Sequence, residues 1–153
     1  MEKLTFVVLQ WTLVYTKYQQ ESIAKYNLER QGFVVYFPMV TKRVSHARSV
    51  ALDIRPLFPR YLFVKIATET ACWRPILSTT GVQELIRSGD KPVAANRVVS
   101  ALKELENTSP SKGGQQDTDL KQNLDAMQRM LESDALPDAL KQALIFSLRT
   151  RQS

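Results

Sequence analysis

The sequence predicts an α+β fold, an antiparallel β-sheet flanked by helices, with a short helical region at its C-terminal end. Three observations predict it. Short runs rich in β-branched and aromatic residues are interspersed with amphipathic runs, without the regular strand–helix–strand repetition of a parallel sheet. Two of the strand-like runs are joined by a long connection that is polar, basic and poor in core material. A linker-like stretch near residue 110 is followed by helical periodicity alone.

The first strand is expected from about Val7 to Thr16, with Trp11, Leu13 and Tyr15 on one side and Thr12, Val14 and Thr16 on the other. A helix follows over about Gln19–Gln31, with Ile23, Ala24, Asn27 and Leu28 on one face and Glu21 placed to pair with Lys25. Gly32 is suited to end it in a left-handed conformation. Phe33–Phe37 reads as a strand that stops at Pro38. Residues 42–60 are polar and basic, and Tyr61–Ile66 resumes as a strand, so the connection is expected to project as an extended hairpin arm. Val82–Arg87 reads as a further strand, turned by Ser88-Gly89-Asp90. Asn96 is placed to cap a helix over Arg97–Glu106 that buries Val98, Leu102 and Leu105.

This organisation gives a domain over residues 1–106, a flexible linker over 107–117 and a helical tail over 118–153. In the tail, Leu120, Leu124, Met127 and Leu131 recur at helical spacing, as do Leu140, Leu144 and Leu148 after Pro137. Helices this short need a partner surface for their apolar stripes. That surface is the first domain, a second copy or another protein.

Composition limits the function classes. A single cysteine, Cys72, builds neither a disulfide framework nor a multi-cysteine zinc site within the chain. The apolar run from Phe6 to Tyr15 is interrupted by Gln10 and Thr12 and falls short of the roughly 20 residues of a spanning helix, so a cytoplasmic, non-membrane protein is expected. The net charge is +6, and residues 1–106 carry 15 Lys+Arg against 9 Asp+Glu, whereas 107–153 carry 6 of each. The whole excess thus sits in the first domain, where it is either a solvated basic surface or a face for a polyanion or acidic protein.

Catalytic chemistry finds no footing. His46 is the only histidine and stands in the basic arm, with Ser45 and Ser49 beside it but no ligand-spaced or nucleophile-spaced companions. The glycine-rich phosphate cradles are missing from the sequence, and no metal or cofactor is expected. Binding chemistry is better represented. The arm carries Lys42, Arg43, Arg48, Arg55 and Arg60 against one acid, Asp53. Such cations neutralise phosphates in a salt-dependent way. Lys17, Tyr18, Gln20 and Asn27 form a second polar and basic group, in which Tyr18 is either a stacking platform for an unpaired base or a corner residue. In Pro56-Leu57-Phe58-Pro59-Arg60-Tyr61-Leu62-Phe63-Val64, two prolines bracket a large apolar pair before an aromatic strand. Leu57, Phe58, Tyr61 and Phe63 are either all core or partly an exposed apolar patch for a protein partner.

Several of these segments together resemble the N-terminal domain of the NusG family, and its specialised RfaH-like branch. They are Trp11-Thr12-Leu13-Val14-Tyr15-Thr16-Lys17, Leu28-Glu29-Arg30-Gln31-Gly32, Tyr36-Phe37-Pro38-Met39, the double-proline segment and Thr79-Thr80-Gly81-Val82. The resemblance covers about residues 9–106, and the family often has glycine where Arg60 stands. It implies a non-enzymatic transcription elongation or antitermination factor. Such a factor binds the clamp helices of the largest catalytic subunit of RNA polymerase, here through Tyr15, Phe58, Tyr61 and Phe63. It implies gate-loop contacts at Cys72, Trp73 and Arg74, and contacts to the non-template DNA strand at Lys17, Gln20, Asn27, Thr79 and Thr80. The departure is C-terminal: residues 118–150 lack the strand alternation and glycine-centred motif of the family's β-barrel domain. RfaH-like proteins hold a helical hairpin over the polymerase-binding patch, so the tail is expected to mask that patch, self-associate or dock another factor. Two further classes stay open, a stand-alone single-stranded nucleic-acid binder and an interaction protein that oligomerises through its tail.

Overall fold

The computed structural model describes residues 8–67, 73–108, 128–132 and 136–151, without the side chains of 41–44, 46, 52, 107, 108, 150 and 151. Its centre is a four-stranded antiparallel sheet of β1 (Leu9–Thr16), β2 (Val34–Tyr36), β5 (Tyr61–Ala67) and β6 (Val82–Leu85), in the order β2-β5-β1-β6. β1 and β5 pair along their whole lengths, from Leu9 opposite Ala67 to Tyr15 opposite Tyr61. β3 (Met39–His46) and β4 (Ser49–Pro56) form the expected basic hairpin arm, joined at residues 47–48. The expected strand through Arg87 instead breaks after Leu85, and β7 (Arg87–Ser88) and β8 (Lys91–Pro92) make a small separate hairpin.

Period-two alternation along β1 sends its side chains to two different cores. Val14 enters one with Ala24 and Leu28 of α1 (Glu21–Arg30), Leu62, Val64 and Ile66 of β5, and Ile76 of α2 (Arg74–Leu77). Leu13 enters the other, flanked by half-buried Trp11 and Tyr15, with Phe58, Tyr61, Phe63 and Val98, Val99 and Leu102 of α3 (Asn96–Thr108).

α1 ends in a Schellman arrangement. Phe33 N–H donates to the Leu28 carbonyl at 3.2 Å and Gly32 N–H to that of Glu29 at 3.0 Å, with Gly32 at φ +95°. Phe33 and Leu28 meet in the same apolar cluster, which is the contact that usually accompanies this cap. Three expectations for the helices need correction. Ile23 is 46% exposed, because Ala24 and Leu28 already fill the face against the sheet. Lys25 pairs with Glu29 at 2.6 Å, while a Glu21 carboxylate oxygen accepts the Arg60 backbone N–H at 3.2 Å. Asn96 does not cap α3: its Oδ1 accepts the Trp11 N–H at 2.7 Å. With Ala95 N–H donating to the Trp11 carbonyl at 2.8 Å and Ile86 N–H to that of Leu13 at 2.9 Å, it closes the stretch of the β1 edge beyond β6.

The described part of the tail is helical over 128–131 and in α4 (Asp138–Arg151). Leu131, Leu136, Leu140 and Leu144 are buried and share the cluster of Phe58, Tyr61 and Phe63, with Leu148 partly buried against it. The described part of the tail thus packs on the face of the sheet that also carries α3. Leu120, Leu124, Met127 and most of the expected linker lie outside the described residues.

Candidate functional site: an apolar patch under a helix, and a polar cleft

The double-proline segment makes a tight turn before β5. Tyr61 N–H donates to the Phe58 carbonyl at 3.1 Å, Pro59 occupies the second position, and Arg60, the third, has φ +72°. Proline followed by a positive φ is the signature of a type II turn, where the third residue is normally glycine. A side chain at such a φ costs roughly 1 kcal/mol or more. The Arg60 guanidinium is held on several sides. Its Nε donates to the Thr16 carbonyl at 3.2 Å and its Nη2 to Gln83 Oε1 at 3.0 Å. Its Cζ lies 4.3 Å from the centre of the Tyr15 ring.

This turn delivers the aromatic residues to one place. The Tyr15 and Tyr61 rings are 5.0 Å apart and those of Phe58 and Phe63 6.2 Å apart. All four residues expected at a clamp contact are therefore neighbours. They are not open, however: Leu57, Phe58, Tyr61 and Phe63 are 4, 0, 7 and 0% exposed, and Tyr15 is half-buried. The exposed-patch alternative is thus corrected. The physical reason is the tail, whose leucines join the same cluster and whose buried Ser147 donates its Oγ hydrogen bond to the Pro59 carbonyl at 3.0 Å. Burial pushes the Tyr61 phenol up to about 12; Tyr15 and Glu84 push the same way, and the Arg60 charge opposes them. Tyr36 is raised further, first by burial and then by the bond its hydroxyl donates to Glu106 at 2.7 Å.

A second feature lies on the α1 side of the sheet. Asn27, Arg30, Gln31, Pro75, Ser78, Thr79 and Thr80 line an open polar cleft of about 350 Å³. Gln31 Nε2 donates to Thr79 Oγ1 at 2.8 Å, which in turn donates to the Pro75 carbonyl at 2.9 Å, fixing the cleft floor. Gly81 sets the closeness of its two walls: at φ +95°, a Cβ here would lie 2.8 Å from the Ala24 backbone nitrogen. Three of the five residues expected to face DNA, Asn27, Thr79 and Thr80, thus come together. Exposed Lys17 adjoins them, its N–H donating to the Gly81 carbonyl at 2.8 Å, whereas partly buried Gln20 does not line the cleft. The sequence reading missed Arg30 and Gln31 as lining residues. Their positions three and four after Asn27 carried the signal, since that spacing shares a helix face.

The remaining expected residues are separate. Trp73 is half-buried against the α1-side cluster with the Arg87 guanidinium 5.2 Å from its ring centre, and Arg74 beside it is exposed. Cys72 lies outside the described residues, as do the side chains of Lys42, Arg43 and His46. On the arm, Arg48 is exposed at the tip and Arg55 is paired with Asp53 at 2.6 Å. Among the described residues, no group of three or more His, Cys, Asp or Glu residues could hold a metal ion, and no helix is long and apolar enough to cross a membrane.

The family model described as transcription termination factor nusG matches residues 9–99, which takes in the whole four-stranded sheet, the arm and the turn at Arg60. The chain belongs to the NusG family. NusG proteins are transcription factors, and the match ends within α3, so it does not extend to the tail. A solved structure showing domain interaction in Thermotoga maritima NusG is similar, at 22% identity and a TM-score of 0.45. The likeness covers 69% of this chain and 61% of that one, so this chain spans about three fifths of the length of that NusG.

Proposed function

We propose that this NusG-family protein is a transcription elongation and antitermination factor of the RfaH-like kind, kept from RNA polymerase by its own C-terminal helix. The observation that carries the reading is the shared cluster of Phe58, Tyr61 and Phe63 with Leu140 and Leu144 of α4. A surface that a helix covers in this chain is suited to a helix of a partner. In this reading Tyr15, Phe58, Tyr61 and Phe63 grip the clamp helices of the largest catalytic subunit once α4 leaves. Cys72, Trp73 and Arg74 face the gate loop, and the factor bridges the cleft between the two lobes. The cleft on the α1 side takes an unpaired base of the non-template strand through Asn27, Thr79 and Thr80, with Lys17, Gln20 and the arm cations Lys42, Arg43, Arg48 and Arg55 at the phosphates. The site of action is the cytoplasm, and service to a few operons follows from the RfaH-like branch by analogy. Residues 1–106 form the polymerase-binding domain, 107–117 the linker and 118–153 the mask.

The work asked of such a protein is binding alone. Pausing involves opening of the polymerase clamp, and a bridge with more contacts in the closed state shifts the population toward closure. A preference of about 1.4 kcal/mol changes that equilibrium tenfold. The test is a transcription assay on a paused elongation complex. Tyr61→Ala should abolish recruitment and pause suppression, and Lys17→Ala should impair DNA-dependent engagement. Pause suppression by a folded Tyr61→Ala variant at the wild-type level would reject the clamp reading.

The polar cleft favours one other reading, a stand-alone single-stranded nucleic-acid binder, with Tyr18 exposed beside Lys17. Pull-down at moderate salt separates the two. Retention of polymerase supports the first, and retention of free RNA or DNA alone supports the second.

A further inference from the structure

The turn at Phe58–Tyr61 contains a non-glycine residue at φ +72° whose side chain is tied on several sides. Such outliers persist only where the surroundings over-determine them, and they concentrate in clamps and switches. Type I and type II turns differ by a flip of the peptide between the second and third residues. Here that peptide joins Pro59 to Arg60, and its carbonyl is the acceptor of the Ser147 hydroxyl at 3.0 Å. The direction of the carbonyl therefore depends on the backbone of Arg60. An ordinary side chain at the third position favours type I, which would turn the carbonyl away. The Arg60 tethers oppose that preference: Nε on the Thr16 carbonyl, Nη2 on Gln83 Oε1 and the guanidinium over Tyr15. The Glu21 carboxylate holds the Arg60 N–H at 3.2 Å, and the Thr16 N–H donates to the Arg60 carbonyl at 2.8 Å.

We propose that Arg60 is the positioning residue that sets whether α4 docks: its side chain holds the Pro59–Arg60 peptide in the type II form, which presents the Pro59 carbonyl to Ser147. Two discrete turn states give the covered and uncovered patch a local origin. The tethers all come from the β1, α1 and β6 side, so the same residue links that side of the domain to the tail. The inference deepens the proposed masking and rests on it only for its consequence at polymerase.

Amide hydrogen exchange of the full chain tests it, because exchange reports local opening of α4 separately from the sheet. Arg60→Ala keeps the cost of positive φ and loses the tethers. It should speed exchange of the α4 amides by about five- to tenfold while β1 and β5 stay protected. Arg60→Gly loses the tethers together with the cost and should stay within about twofold of wild type. Ser147→Ala should act like Arg60→Ala, and the double variant should exchange no faster than the faster single one, since both break the same contact. Equal effects of alanine and glycine, additive effects in the double variant, or an unchanged α4 in Arg60→Ala would each overturn the inference. Should alanine expose the sheet as well, Arg60→Gly and Arg60→Asn decide, both residues being at home at positive φ. Retained α4 protection supports the switch, and lost protection overturns it. No polymerase enters this readout, so its failure leaves the clamp reading standing, and a failed transcription assay leaves this result standing.

Discussion

The two faces of the sheet are closed in different ways. On the α1 face, Val14, Leu62, Val64 and Ile66 are covered by α1 and α2, elements that lie within the first 77 residues and within the family match. The Gly81–Ala24 approach leaves no room there for a methyl group to be added without movement. On the opposite face, α3 covers part of the apolar surface with Val93 and Ala95 beside it, and residues 130–148 cover a further part. The first face is finished by residues within the family match. The second is finished from beyond that match, by Leu131 and Leu136, the apolar face of α4 and a hydrogen bond to a turn carbonyl. Completion of this face from beyond the family match is the physical ground for the proposal that the tail is a mask.

Three measurements break or sharpen that contrast. Leu144 is fully buried in α4, and Leu144→Ala should weaken docking of the tail by about 3–5 kcal/mol. The loss should appear as exchange of α4 amides with the α1 face still protected; equal loss on both faces would merge them into one cooperative core. Next, Gly81→Ala places a Cβ against the Ala24 backbone at a positive φ and should cost about 2–4 kcal/mol. For a chain of this size that lowers the thermal midpoint by roughly 10 °C, with α1 and the cleft disturbed first. An unshifted midpoint would mean the close approach is loose.

The smallest effect is alkaline. The folded pKa of Tyr61, about 12, lies above its ordinary value of 10.0, so burial favours the neutral phenol. Its contribution to stability is complete below pH 10 and is lost as pH rises through about 12. Tyrosinate absorbance should show this phenol silent at pH 10.0, and the Leu144→Ala variant, with its looser cover, should bring its ionisation down. Ionisation at the ordinary value in the intact chain would contradict a sealed patch.

Much of the fold was legible in the sequence because local signals agreed with it. Alternation along β1 assigned both of its faces, Gly32 stopped α1, and the basic connection between two strands became the hairpin arm. Two of the failures share one physical cause, the claim of distant partners on residues with a good local role. Asn96 would cap a helix if Trp11 N–H did not claim its Oδ1, and Glu21 would pair with Lys25 if the turn at Arg60 did not stand beside it. The candidate sites were legible in part. The structure brings together the four aromatics of the patch, and three of the residues expected at DNA in the cleft, but the burial of the aromatics was not readable. No periodicity states which of three surfaces an amphipathic helix will choose. The positive φ of Arg60 was equally hidden, because arginine gives no local signal for it.

The central claim is that α4 covers the surface that polymerase grips. It is tested most directly by comparing the full chain with a chain ending at Thr108 for binding to a paused elongation complex at moderate salt. The account predicts clearly tighter binding by the shortened chain, together with loss of that gain when Tyr61→Ala is added. Equal or weaker binding by the shortened chain, with its sheet intact, would contradict it.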